Sequence, residues 1–126
     1  MSVIDSVSKR FEFDELKTNL ATELISGLSL FLSLSYIFIV NPSILVQAGI
    51  PAGAAFFATV LISGLFTIWM GWYAKLPFAV APGLESSSFF VFVVVASLGF
   101  SWQQALGLVF WSGVLCVILT LSLIHI

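Results

Sequence analysis

Between Leu76 and Phe90 an apolar sequence is interrupted by Pro77, Pro82, Gly83, Glu85 and three consecutive serines, Ser86, Ser87 and Ser88. These side chains could do chemistry. Glu85 is a strong acceptor for ligand N–H groups, or a carrier for a coupling proton. The serine hydroxyls both donate and accept. Pro77 and Pro82 remove backbone donors and disfavour helix at the residues before them. The segment from Phe78 to Ala81 is therefore predicted to be extended, with Gly83 supplying a turn and a helix starting near Leu84. A helix start gathers unpaired N–H groups and the positive end of the dipole, which suits anionic or carbonyl-rich ligands. Together these groups match a flat heterocycle bearing both carbonyls and ring N–H. The plainer alternatives are that Glu85 caps its own helix or pairs with a basic residue elsewhere, and that the serines pack as small residues.

The surroundings put this stretch in a membrane. Of 126 residues, 60% are hydrophobic and 8% charged, with a mean hydropathy of +1.18, where soluble domains carry about 25% charge. Asp5, Lys9, Arg10, Glu12, Asp14, Glu15, Lys17 and Glu23 precede residue 24, and only Lys75, Glu85 and His125 follow. An acidic residue at membrane depth costs about 2.5–3.5 kcal/mol on insertion scales, so its presence there points to function. Backbone that breaks in hydrocarbon must be satisfied by protein or by a water-lined cavity, and interrupted helices are a common way to build a transporter's substrate site. The small net charge of −2 gives no footprint for nucleic acid. The single Cys116 excludes an intrachain disulfide and a cysteine metal site, and reads as a small buried hydrophobe. No metal-ligand spacing and no nucleophile–base pair support an enzyme, and no cofactor is implied.

Residues 1–21 read as an amphipathic helix on the membrane surface, anchored by Val3, Val7, Phe11, Leu16 and Leu20, or as a solvated tail. Residues 22–126 form the membrane region, with spans predicted at 23–48, 52–73, 76–100 and 102–126. The first has an apolar core of about 17 residues from Leu24 to Val40, near the lower limit for crossing. Its Ser26, Gly27, Ser29, Ser33 and Ser35 predict a face packed on protein, and Asn41-Pro42 marks a break. In the second span Gly64 and Gly71 predict close packing, and Trp69, Trp72 and Tyr73 an interfacial belt. A helix from Leu84 to Gly99 would be about 24 Å long, short of the ~30 Å hydrocarbon core, so its start lies inside the membrane. Lys9, Arg10 and Lys17 before the first span, and Lys75 after the second, put the N-terminus in the cytoplasm. There is no cleavable signal sequence. The apolar end at Ile126, without a basic flank, reads as a truncation, and His125 is given no role.

The run Ala81-Pro82-Gly83-Leu84-Glu85-Ser86-Ser87-Ser88-Phe89-Phe90 resembles the third-span motif of the nucleobase:cation symporter-2 superfamily, in its adenine/guanine/hypoxanthine permease branch. Thr22-Glu23-Leu24-Ile25-Ser26-Gly27-Leu28 and Tyr36-Ile37-Phe38-Ile39-Val40-Asn41-Pro42-Ser43-Ile44-Leu45 resemble that branch's first span. Ser101-Trp102-Gln103-Gln104-Ala105-Leu106-Gly107, followed by Ser112-Gly113, resembles its fourth. The resemblance covers residues 10 to 120. It implies an all-α integral membrane protein with about four spans of an inverted-repeat transporter fold, the third a short extended segment plus a half-helix. It further implies a plasma- or inner-membrane permease working by alternating access, whose second repeat lies outside this chain. The residues implied to face a nucleobase are Ala81, Pro82, Gly83, Glu85, Ser86, Ser87, Ser88 and Phe89, with no metal. The expected partners are the nucleobase, a coupling proton or other cation and the lipid bilayer, with a homodimer of the full-length protein as an option and no nucleic acid. Ser87 departs from the pattern, since the purine branch usually has Asn there and the uracil/xanthine branch Ser. Purine is thus a preference over xanthine or uracil. An anion transporter of related fold, and a stand-alone four-span structural or assembly protein, are the other readings.

Overall fold

The computed structural model describes residues 8–13, 15 and 17–124. Among them the regular structure is all helical: α1 (Leu20–Leu34), α2 (Ile37–Val46), α3 (Ala52–Trp69, widening into a π-helical turn over Met70–Ala74), α4 (Leu84–Ser88, continuing as π-helix over Phe89–Ser97) and α5 (Trp102–Ile124). Three stretches are long and apolar enough to cross a membrane: the α1–α2 run of 27 residues, α3 with its extension at 23, and α5 at 23. The fourth, Leu84–Ser97, is shorter, about 21 Å at 1.5 Å per residue. It is preceded by chain without helix or strand from Lys75 to Gly83. The third predicted span is thus a non-helical segment followed by a short helix, and the helices long and apolar enough to cross a membrane number three among the described residues.

Three local predictions are corrected. Asn41-Pro42 does not break the first span, because Pro42 lies inside α2. The interruption sits one to two turns earlier, at Ser35–Tyr36, where Phe38 N–H reaches back three residues to the Ser35 carbonyl at 3.1 Å. A proline strips the bond that would go to the carbonyl four residues before it, so its disturbance falls upstream. Residues 8–21 are not one surface helix either. Glu12 (φ 57°) and Lys17 (φ 52°) adopt left-handed backbone, which ends helical propagation, and α1 starts afresh where Asn19 Oδ1 accepts from Thr22 N–H at 2.9 Å. Val3, Val7 and Leu16 lie outside the described residues. Gly83 is not the turn: it is extended (φ −73°, ψ 124°), and the chain reverses at Lys75, in left-handed conformation (φ 53°).

The buried residues follow the short helix. α2 packs against both α3 and α4, and α4's second half against α5. A small core of Ala48, Phe90, Val91 and Ala105 is closed by Ile44, Leu45, Ile50, Val94, Val95 and Trp102. It gathers the 48–50 turn, α4 and the start of α5 at one end. Ser101 and Gln104 cap α5 reciprocally: Ser101 N–H donates to Gln104 Oε1 at 3.1 Å and Gln104 N–H to Ser101 Oγ at 3.4 Å, a capping box.

Among the described residues the outward faces meet none of the packing partners predicted for them. No residue of α1 is buried, and its Ser29 and Ser33 hydroxyls donate to their own helix at Ile25 and Ser29 carbonyls. Among the described residues, no atom beyond chain neighbours and the helix's own backbone would lie within 4 Å of a methyl group added at Gly64 or Gly71. Cys116 is exposed on α5.

Candidate functional site

Two anchors hold the broken segment against its neighbours. The first is Thr67 on α3. Val80 N–H donates to its Oγ1 at 2.9 Å, and Oγ1 stands 3.4 Å from the Val80 carbonyl. One hydroxyl therefore meets both backbone groups of a residue that has no helical or sheet partner, which is how broken backbone survives in hydrocarbon. The second anchor is Asn41 on α2. Ser87 Oγ donates to Asn41 Oδ1 at 2.6 Å, Asn41 Nδ2 donates to Thr59 Oγ1 at 2.9 Å, and Thr59 Oγ1 donates to the Ala55 carbonyl at 2.8 Å. Asn41 is 3% exposed and Thr59 5%. This network joins α2, α3 and the start of α4 through buried, paired groups.

The predicted site residues divide accordingly. Gly83, Glu85 and Ser86 come together: a methyl group at Gly83 would stand 3.4 Å from Glu85 Oε2 and 3.6 Å from Ser86 Oγ. Glu85 and Ser86 are exposed, so both side chains fold back toward the break on an open face. The first helical bond of α4 runs from Ser87 N–H to the Gly83 carbonyl at 3.1 Å, and no side chain caps the helix. Glu85 therefore does not act as an N-cap. Ser87 is half-buried and gives its hydroxyl proton to Asn41. Ala81, Pro82 and Ser88 are half-buried, and Phe89 is exposed. The open face thus offers a carboxylate and a hydroxyl beside free helix-start N–H groups.

Sequence reasoning missed Asn41 and Thr67. Asn41 was legible only as half of an Asn-Pro turn signal, and its partner lies 46 residues away. Thr67 left a clearer trace. Thr59, Ser63 and Thr67 recur every four residues in an otherwise apolar helix, which places them on one face; Thr67 on that face meets the broken segment and Thr59 meets Asn41.

A groove of about 510 Å³ opens at the other end of the extended segment, between Phe11, Phe13, Glu23, Ser26, Gly71, Lys75, Leu76 and Pro77. None of Ala81 to Phe89 lines it. The segment before α1 closes one side. Arg10 lies 5.8 Å from the Trp72 ring centroid and donates to the Trp72 carbonyl at 3.5 Å, and Lys75 forms an ion pair with Glu12. That hydrogen bond and the lysine charge hold the Glu12 carboxyl below its usual value. The contacts put residues 10–12 and 72–75 on the same side of the helices, as the charge pattern predicts. Among the described residues no three His, Cys, Asp or Glu side chains converge on a metal position.

No protein-family model matches the chain, and no solved structure matches it. Several curated proteins do. The adenine permease AdeQ of Escherichia coli is 42% identical over 116 residues, covering 92% of this chain and 26% of its own. The guanine/hypoxanthine permease PbuG of Bacillus subtilis is 45% identical over 121 positions, covering 89% of this chain and 28% of its own. The guanine/hypoxanthine permease PbuO of the same organism is 39% identical over 114 residues, covering 89% and 26%. These relatives are named as permeases and not as enzymes, and the chain spans about a quarter of their length. By sequence, then, the chain is a homologue of a segment spanning about a quarter of the proteins named adenine and guanine/hypoxanthine permeases.

Proposed function

We propose that this chain supplies one interrupted helix of the substrate site in a nucleobase permease, and that its ligand is a purine. The observation that carries the reading is the break itself. Its extended arm is pinned by Thr67 and its helix by Asn41, while Glu85 and Ser86 project beside Gly83 on an open face. A rigid frame with an open polar face is what a ligand site on an interrupted helix requires. Free N–H groups at the helix start suit base carbonyls, and the Glu85 carboxylate suits base N–H. In this reading the base binds near the bilayer midplane, against a second interrupted helix from an inverted repeat outside the chain. Transport runs by alternating access with a coupled proton, with residues 8–18 and Lys75 on the cytoplasmic side of the cell membrane. The names of the relatives favour adenine, guanine or hypoxanthine as the substrate class.

The test is uptake of labelled adenine and hypoxanthine by cells lacking their own purine uptake, with the protein expressed from its natural gene. Saturable uptake, competed by unlabelled purine and collapsed by an uncoupler, is expected. Uptake of small organic anions in place of bases would overturn the assignment. These 126 residues expressed alone are expected to give no uptake.

A further inference from the structure

The hydrogen-bond chain through Asn41 has a polarity that can be read from its closed end. The Ala55 carbonyl only accepts, so Thr59 commits its one proton there, at 2.8 Å. Thr59 Oγ1 must then accept from Asn41, which fixes the amide nitrogen on that side, at 2.9 Å. The amide oxygen is left facing Ser87, and since it cannot donate, Ser87 must give its proton, at 2.6 Å. Every step has a single solution from the donor and acceptor inventory of these groups. With Asn41 3% and Thr59 5% exposed, water has little access to exchange the partners. Ser87, half-buried at the mouth of this chain, is left with lone pairs and no proton to offer.

We propose that Asn41 is a positioning residue that makes Ser87 an acceptor-only group, so that this position of the ligand site takes a ring or amino N–H and rejects a lone pair. The inference rests on the permease reading above and deepens it. Glu85, two residues earlier, is also acceptor-only when ionised. Two residues apart, they lie on different sides of the helix start, so each would accept a separate N–H of the base. Thr59 sets this preference without approaching the ligand, because its acceptor is what keeps the Asn41 amide from turning over.

The experiment uses the protein expressed from its natural gene in purine-uptake-deficient cells. Labelled adenine uptake is competed with pairs of purines that differ by one N–H, methylated or replaced by a ring nitrogen. The unaltered protein is expected to discriminate against at least one N–H-lacking member. Ser87→Ala should reduce that discrimination about tenfold, the scale of one hydrogen bond. Thr59→Val, nearly isosteric, frees the amide to turn its nitrogen to Ser87, and should reduce or reverse the same discrimination. Asn41→Asp keeps an acceptor facing Ser87 and should retain it, as should Ser63→Ala one turn from Thr59. A structural role alone would change the amount of folded protein and leave the selectivity ratio untouched. Discrimination unchanged in Thr59→Val, with uptake intact, would overturn the proposal and leave the permease reading standing. If Thr59→Val does not reach the membrane, loss of discrimination in Asn41→Asp would overturn it equally. Absence of any base uptake by the unaltered protein would overturn both.

Discussion

At the scale of single residues, Glu85 and Ser87 differ most from how adjacent polar positions would be ranked by type alone. Two residues apart, they face different partners: Glu85 stands free beside Gly83, and Ser87 is engaged by Asn41. Glu85→Gln keeps an acceptor oxygen but removes the charge. Hydrogen bonds to charged groups contribute about 1.5–3 kcal/mol against about 0.5–1.5 for neutral ones, so base uptake should fall about tenfold with membrane abundance unchanged. Uptake equal to the unaltered protein would reduce Glu85 to a solvated side chain. Glu85 was legible in sequence as a candidate, because a carboxylate in an apolar run is conspicuous wherever it points. The role of Asn41 was not. Its local context signals a turn, and only the packing of α2 on α3 and α4 reveals that its amide lies between two hydroxyls.

Among the elements, the extended arm of the broken span is the one whose existence could be read in advance and whose support could not. Two prolines five residues apart announce non-helical backbone by their missing N–H groups. They do not say what satisfies Val80. That role falls to Thr67, so Thr67→Val should lower thermal stability in detergent by about 1 kcal/mol, the range measured for hydrogen bonds between membrane helices, and should lower uptake as well. Thr67→Ser keeps the hydroxyl and should stay within a few tenths of a kcal/mol. Equal melting of the valine and serine variants would show that the arm is held by packing alone. The serines of α1 teach the opposite lesson. Their spacing suggested a polar seam between helices, yet Ser29 and Ser33 satisfy themselves on carbonyls one turn back, an option open to any helical serine. Spacing identifies a shared face; it does not identify who meets it.

For the whole molecule, charge pattern was a better guide than periodicity. The basic cluster before α1 and the lysine after α3 were expected on one side, and Arg10 on Trp72 with Glu12 on Lys75 brings them together. The ion pair carries a pH dependence. The docked Glu12 carboxyl sits below its ordinary value of 4.5, so its contribution is complete above that value. It is lost as pH falls through the lowered docked value. Hydrogen exchange over residues 8–18, corrected for intrinsic rate, should therefore be flat from pH 8 to 6 and rise in the acid range below about 4.5. Glu12→Gln should raise it at neutral pH and remove the acid rise. The short helix Leu84–Ser97 has a consequence for biogenesis. Its 14 residues fall in the range of re-entrant or interfacial segments, so an insertion channel has little reason to release it into lipid by itself. It must enter as cargo between α3 and α5, drawn in by Thr67, by Asn41 and by the core that Val91 shares with Ala105. Ribosome-arrested chains that stop before Trp102 contain no native cysteine, so a cysteine placed at Val91 should react with a membrane-impermeant maleimide at that stage. Once α5 has emerged, on a Cys116→Ala background, it should be protected. The break proposed to build the site would then also set the order in which the protein is assembled.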